Sequence, residues 1–226
     1  MTIAERWREV SARVAAACER AGRAAGEVTI VAVSKTHPAE AIRAAAAAGA
    51  TEFGENYAQE LATKAAELAA GSPPLRWHFI GRLQRNKARL VAGRVALIHA
   101  VDSVELADEI ARRAGGAIQP ILLAVNLGGE ASKGGVTAEA APAIARALAG
   151  VAGTSLDGLM TMPPPADDPE ASRPAFAALG ALRDRLADQL GRPLPVLSMG
   201  MSHDFEVAIA CGATHVRIGT AIFGSR

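Results

Sequence analysis

The feature that most constrains the fold is a regular alternation of short apolar segments with helical segments. The run VTIVAVSK at 28–35 is continuous, apolar and rich in β-branched residues, which is typical of a strand buried on both faces. Eight strands are predicted, and seven of them are followed by an intervening helix. The predicted strands are 28–35, 50–54, 76–81, 95–101, 120–126, 155–160, 196–199 and 215–218. Eight such α/β units favour a closed (β/α)8 TIM-like barrel over an open doubly wound sheet.

An extra helix is predicted before the first strand. Ile3, Trp7, Val10 and Val14 recur at helical spacing, and Gly22 is expected to end the helix. Few residues follow the eighth strand, so we expect this N-terminal helix to fill the place of a closing helix. No linker or shift in composition divides the chain, which predicts a single domain over residues 1–226.

The composition excludes several classes of protein. Half of the 226 residues are hydrophobic, which supplies a core and excludes wholesale disorder. The 24 basic and 23 acidic residues nearly cancel, so charge gives no argument for binding nucleic acid or an acidic membrane. No apolar run approaches the roughly 18 residues of a membrane span, and the first residues lack the apolar core of a signal peptide. With only two cysteines, a cytoplasmic protein is expected.

Lys35 stands out among the polar residues at the strand ends. The chain has only four lysines, against twenty arginines, and we expect Lys64 and Lys87 on helix surfaces. Lys35 instead follows a buried strand, at the barrel end where active sites of this architecture lie. Partial desolvation there would lower the pKa of its ammonium group and give a free amine that condenses with aldehydes. An ordinary rim lysine, solvated or ion-paired, is the alternative.

Two loops after the seventh and eighth strands predict a phosphate site. These are SMGMSHD at 198–204 and RIGTAIFG at 217–224, in the region where such barrels commonly bind phosphate. Ser202 is expected to begin a helix whose free N–H groups favour an anion, while Gly219 and Thr220 add backbone and hydroxyl donors. An amine together with a phosphate site indicates pyridoxal 5′-phosphate (PLP), the most widely used ligand that carries both an aldehyde and a phosphate.

Other chemistries are less well supported. The segment GMSHD begins like a nucleophile elbow, but Asp204 occupies the place of the last glycine, which argues against a serine hydrolase. The five histidines and two cysteines show no metal-ligand spacing, so we expect no metal site. His78 and His99 lie within predicted strands and are interpreted as core or rim histidines with hydrogen-bond partners.

Several motifs, in order along residues 28–224, resemble the pyridoxal phosphate homeostasis protein family. They are VAVSKTHP, FGENYAQE, WHFIGRLQRNK, the loop Asn126-x3-Glu130-x2-Lys133-x-Gly135, GLMTM, LSMGMSHD and VRIGTAIFG. Members of this family are small relatives of the alanine racemase barrel. The resemblance therefore implies a fold-type-III PLP barrel, in agreement with the strand count.

The resemblance also implies roles for individual residues. PLP would be held as a Schiff base on Lys35, with Asn56 near its ring and Arg217 approaching the pyridine nitrogen. Ser202, Gly219 and Thr220 would surround the phosphate. Lys133 matches a family lysine on a loop and would act in cofactor transfer or as a secondary site.

The function implied by the resemblance is intracellular PLP homeostasis, as a carrier, buffer or regulator without established catalytic turnover. No residue is therefore predicted to be catalytic. The expected partners are PLP and PLP-dependent apoenzymes that receive it, and the chain would be a monomer or a weak dimer. A PLP-dependent racemase and a Schiff-base aldolase are the alternatives. A racemase of this type needs a second acid–base group, usually a tyrosine from a further domain, and the only tyrosine here is Tyr57.

Overall fold

A computed structural model describes residues 1–69, 74–128 and 134–224. Its centre is a closed barrel of eight parallel strands in chain order, with β8 hydrogen-bonded to β1. The strands are β1 (Thr29–Val33), β2 (Glu52–Glu55), β3 (Arg76–Phe79), β4 (Leu97–Val101), β5 (Gln119–Ala124), β6 (Thr154–Met160), β7 (Val196–Ser198) and β8 (His215–Ile218). The closed ring confirms the predicted (β/α)8 barrel and rules out the open sheet.

Helices surround the barrel and cover the outer faces of its strands. The α-helices are α1 (Ile3–Arg20), α2 (Ala39–Ala47), α3 (Ala58–Glu67), α4 (Val104–Arg113), α5 (Ala141–Ala149), α6 (Arg173–Leu190), α7 (Phe205–Ala210) and α8 (Thr220–Phe223). Shorter 3-10 turns lie at Ala25–Glu27, Arg85–Leu90 and Pro169–Ser172. Among the helices of the described ranges, none has both the length and the hydropathy to cross a bilayer.

Helix α1 occupies the place that a full eighth helix would take. Its apolar stripe of Trp7, Val10 and Val14 is buried, and it packs against α2, α7 and α8. A capping box between Thr2 and Glu5 begins the helix, since each side chain bonds the backbone N–H of the other. Because α8 has only four residues, α1 supplies most of the apolar cover between α7 and α2. The expectation for the N-terminal helix is confirmed.

Removing the largest side chain of the α1 stripe should destabilise the whole barrel. We expect Trp7→Ala to lower the free energy of unfolding by about 3 kcal/mol, since it leaves a cavity under α1. Urea denaturation checks this, with Arg8→Ala on the exposed face of the same helix as the control. Equal midpoints for the two variants would show that α1 does not hold the barrel closed.

Candidate functional site

A cavity of about 440 Å³ lies at the carboxyl ends of the strands. All six residues predicted to bind the cofactor line it, although they come from four different strand–helix units of the barrel. They are Lys35, Asn56, Ser202, Arg217, Gly219 and Thr220. Val33, Ile80, Met162 and Met201 add apolar surface. The volume lies within the range of small-molecule sites, and a few polar groups converge in an otherwise apolar cavity.

The backbone after β8 presents N–H donors to a single oxygen. The hydroxyl of Ser202 accepts hydrogen bonds from the N–H groups of Gly219, at 3.2 Å, and Ala221, at 3.3 Å. Thr220, between them, lines the cavity with an exposed side chain. Donors that already converge on one oxygen atom suit the oxygens of a phosphate.

Ser202 does not begin a helix, contrary to the prediction. Helix α7 starts at Phe205, and residues 201–204 form a turn before it. The carboxylate of Asp204 explains this, because it accepts hydrogen bonds from the N–H of Met201, at 2.7 Å, and from the hydroxyl of Ser172, at 2.8 Å. The turn leaves the Ser202 hydroxyl facing the start of α8.

Gly81 forms part of the cavity wall through a close backbone approach. A Cβ atom at Gly81 would lie 2.2 Å from the carbonyl oxygen of Asn56, far inside any permitted contact. Only glycine therefore lets the chain after β3 pass so close to the chain after β2. This approach places Asn56 at the edge of the cavity.

A buried ion cluster packs directly behind Lys35. The ammonium of Lys64 donates to the carbonyl oxygen of Ser34 and to carboxylate oxygens of Glu55 and Glu60, each at 2.7 Å. Only 6% of Lys64 is exposed, so the prediction that it lies on a helix surface is wrong. The reason is that α3 turns this residue towards β1 and β2, where three oxygens replace its water.

The same cluster fixes both neighbours of Lys35 in the chain. The hydroxyl of Ser34 donates to Glu55 at 2.8 Å, and the N–H of Thr36 donates to Glu60 at 2.6 Å. Thr36 has a φ of 65°, a left-handed conformation that is uncommon outside glycine. The hydrogen bond to Glu60 helps hold this conformation, and with it the direction in which Lys35 leaves β1.

Burial is the main influence on the charge of Glu55. It raises the pKa of this carboxyl group above its usual value, although the hydrogen bonds from Lys64 and Ser34 act in the opposite direction. One carboxylate oxygen of Glu55 is buried without a hydrogen-bond partner, which adds to the cost of its charge. The ionised form of Glu55 therefore depends on its contact with Lys64.

His78 and His99 lie inside the barrel and are hydrogen-bonded, as the sequence indicated. The Nδ1 atom of His78 lies 2.9 Å from the Nε2 atom of His99, and both residues are buried. Within residues 1–69, 74–128 and 134–224, no three His, Cys, Asp or Glu side chains are grouped so that they could hold a metal ion.

Comparison with known proteins places the chain among PLP-related barrels. Residues 10–226 match the family model described as alanine racemase, N-terminal domain. The pyridoxal phosphate homeostasis protein of Aquifex aeolicus is 46% identical over 228 residues, which span 100% of this chain and 99% of that protein. Its counterpart in Pseudomonas aeruginosa is 47% identical over 227 residues, spanning 100% and 96%.

The chain belongs to the pyridoxal phosphate homeostasis protein family. This confirms the resemblance of the motifs. A solved structure of PipY from Synechococcus elongatus, with PLP bound, agrees with the fold at a TM-score of 0.86 and 37% identity, and covers 99% of this chain and 100% of PipY. The relatives are named for homeostasis and not for a reaction.

A second cavity, which the sequence did not predict, adjoins the first. It has a volume of about 920 Å³ and shares Asn56, Gly81 and Arg82 with the cavity around Lys35. Tyr57 and Lys87 line this larger cavity and not the smaller one, and 57% of Tyr57 is exposed. Helix α3 begins directly after Tyr57, which is not among the residues that line the cavity around Lys35.

Lys133, the remaining lysine that the family motifs single out, lies outside the described residues, as does Glu130 of the same loop. Its role in cofactor transfer or as a secondary site stays a prediction.

Breaking the buried ion cluster should destabilise the protein, and more so as the pH rises. We expect Lys64→Met to lower the free energy of unfolding by about 3–5 kcal/mol near neutral pH, because Glu55 is left charged and buried. Folding raises the pKa of Glu55. The stability that this shift contributes is fully present at pH values below the pKa of the unfolded state, and it is lost as the pH rises through the pKa of the folded state. The loss should therefore be smaller at acidic pH.

Denaturation of Lys64→Met between acidic and neutral pH measures this. Glu55→Gln added to Lys64→Met should recover part of the stability, because it removes the unpaired charge. A pH-independent loss, or no recovery in the double variant, would contradict the pairing.

Proposed function

We propose that this protein binds PLP as a Schiff base on Lys35 and acts in intracellular PLP homeostasis without catalytic turnover. The observation that carries the proposal is the 440 Å³ cavity, where one lysine faces converging oxygen-binding donors and a buried guanidinium. The PLP-bound structure of PipY, which shares 37% of its residues with this chain, supports it.

The donor set of the cavity fits each part of the ligand. Bound PLP supplies an aldehyde that condenses reversibly with an amine. The Ser202 hydroxyl and the N–H of Gly219 would hold the phosphate, with Thr220 beside them. Arg217 can only donate hydrogen bonds, so it would keep the pyridine nitrogen as an unprotonated acceptor. Asn56 would contact the ring from the opposite wall.

The arrangement suits a carrier better than a racemase. A racemase needs one acid–base group on each face of the bound amino acid. Tyr57, the only tyrosine, lines the neighbouring cavity and not the one that Lys35 faces. A neutral pyridine nitrogen opposite Arg217 also weakens the cofactor as an electron sink. Release of PLP to apoenzymes, a cytoplasmic location, and a monomeric or weakly dimeric state belong to the same proposal.

Reductive trapping tests the proposed attachment. After soaking with PLP, the protein should show a visible absorption band, and borohydride should fix the ligand to the peptide that contains Lys35. Lys35→Ala should lose the band, because no other lysine among the described residues lines this cavity.

Lys87→Ala is the matched control, since Lys87 lines only the adjoining cavity; it should keep the band. A colourless protein, or trapping at another lysine, would refute the proposal. Trapping of a triose phosphate on Lys35 with no competition from PLP would favour the aldolase instead.

A second test concerns turnover. With PLP bound and an amino acid such as alanine in deuterium oxide, we expect no enzyme-dependent exchange at Cα, because Tyr57, the only tyrosine, lines the adjoining cavity and not this one. Mass spectrometry of the amino acid measures exchange. Sustained incorporation of deuterium or inversion of configuration would restore the racemase.

A further inference from the structure

Arg217 is a buried cation in the wall of the cavity around Lys35. Only 6% of the residue is exposed, and its guanidinium donates to the hydroxyl of Ser198 at 2.6 Å and to the carbonyl oxygen of Thr161 at 3.0 Å. No carboxylate among residues 1–69, 74–128 and 134–224 forms an ion pair with it. Burial lowers the pKa of Arg217 to about 10, and the charge of Asp204 opposes that shift, so the side chain stays charged at neutral pH. A buried charge of this kind is costly unless its surroundings are arranged to stabilise it.

A line of hydrogen bonds leads from Arg217 across the barrel interior to a carboxylate. Ser198 on β7 lies 2.8 Å from Nδ1 of His99 on β4. His99 continues to His78 on β3, and Nε2 of His78 lies 2.7 Å from a carboxylate oxygen of Glu52 at the start of β2. The line thus begins at the cavity and ends at the amino-terminal end of the barrel. Each of its links is a short, well-formed contact.

The two ends of the line determine its direction. Arginine can only donate hydrogen bonds and an ionised carboxylate can only accept them. Burial acts to raise the pKa of Glu52, but the hydrogen bonds from His78 and Arg76, together with the charge of Arg76, outweigh it and lower that pKa, so Glu52 is ionised.

The direction assigns a proton to each link. With His78 neutral, its Nε2 donates to Glu52 and its Nδ1 accepts from Nε2 of His99. Nδ1 of His99 then accepts from the Ser198 hydroxyl, which itself accepts from Arg217. In this arrangement each histidine carries a single proton, on Nε2. Desolvation, with the charge of Arg217 acting in the same direction, holds the pKa of His99 well below its usual value, which agrees with a neutral His99.

The other titratable and charged groups that face this line of hydrogen bonds are consistent with its direction. The ring of His215 lies 5.9 Å from that of His78 and 6.2 Å from that of His99, and burial lowers its pKa to about 4, so it adds no charge at neutral pH. Arg76 pairs with Glu52 at 2.8 Å from the solvent side. The interior between Arg217 and Glu52 therefore holds aligned neutral dipoles.

We propose that Glu52, His78, His99 and Ser198 are positioning residues that hold the Arg217 guanidinium in place for the ring nitrogen of the ligand. Aligned hydrogen bonds polarise one another, so the negative end at Glu52 strengthens the contact made at Arg217. This inference rests on the proposed function only for the identity of the ligand, since the line itself is a property of the protein.

The first experiment tests the line without any ligand. Nitrogen-15 NMR of histidine-labelled protein near neutral pH should show His78 and His99 neutral, each with its proton on Nε2. Ser198→Ala removes the donor to Nδ1 of His99 and should mix its tautomers, while Ser198→Thr, which keeps the hydroxyl, should restore the single form. A charged His99, or a proton on its Nδ1 in the unaltered protein, would overturn the proposal.

The second experiment tests the effect on the ligand. In PLP-soaked protein, Glu52→Gln and Ser198→Ala should shift the pH midpoint of the visible absorption band by about one unit or more, because Arg217 no longer holds the ring nitrogen. Glu206→Gln is the matched control, as it removes a carboxylate that pairs with Arg13 and Arg20 on the outer surface, and its midpoint should not move.

Unchanged midpoints in both Glu52→Gln and Ser198→Ala would overturn the positioning role. Glu52→Gln is the safer variant for folding, because Glu52 is partly exposed and glutamine keeps an acceptor oxygen. Borohydride trapping of PLP on Lys35 in the same variants should persist. A failure of trapping in the unaltered protein would refute the proposed function. The histidine tautomers would still show whether the hydrogen bonds between Arg217 and Glu52 run in the proposed direction.

Discussion

The backbone hydrogen bonds that close the barrel determine where every functional side chain lies. Strand β1 lies between β8 and β2, with Ala32 opposite both Ile218 and Phe53. The chain segments that follow these three strands therefore emerge side by side, although they are far apart in sequence. Lys35, Asn56 and Gly219 meet at one cavity for this reason. A shift of one residue between neighbouring strands would exchange inward and outward side chains and dissolve the site.

Polar groups replace the usual apolar layers at two places near this cavity. Barrel interiors of this type are normally filled by branched apolar residues, so a buried ion cluster and a line of histidines are costly to fold. One is placed behind Lys35 and the other behind Arg217. The Lys64 cluster holds the backbone on both sides of Lys35, and the Ser198–His99 contact lies behind Arg217. Both side chains are thereby supported by contacts with neighbouring strands and helices.

Much of this arrangement could be predicted from the sequence, for identifiable reasons. The strand count, Lys35 and the loop residues Ser202, Gly219 and Thr220 follow from apolar runs and the polar or glycine residues that end them. The roles of Asn56 and Arg217 follow only from the resemblance to the family. The burial of Lys64 was missed, although Ala58, Leu61 and Lys64 recur every three residues and form the buried side of α3. At this position the helical period is a better guide than the general preference of lysine for the surface.

The contacts between histidines could not have been predicted in the same way. His78 and His99 meet only because β3 and β4 pair in a particular register, and the register depends on packing around the whole ring. The late start of α7 likewise depends on Ser172, which reaches Asp204 from a distant part of the chain. Long-range contacts of this kind leave no trace in local periodicity.

The route by which the barrel closes has a consequence for its synthesis on the ribosome. Strand β1 pairs with β8, and helix α1 packs against α8, so elements early in this sequence find partners that are synthesised much later. Until β8 and α8 have been synthesised, β1 presents an unpaired edge and part of the apolar stripe of α1 stays uncovered. Unpaired edges and exposed apolar faces are the surfaces through which nascent chains associate wrongly. A stalled or truncated translation product of this protein is therefore a natural client for chaperones that bind apolar segments.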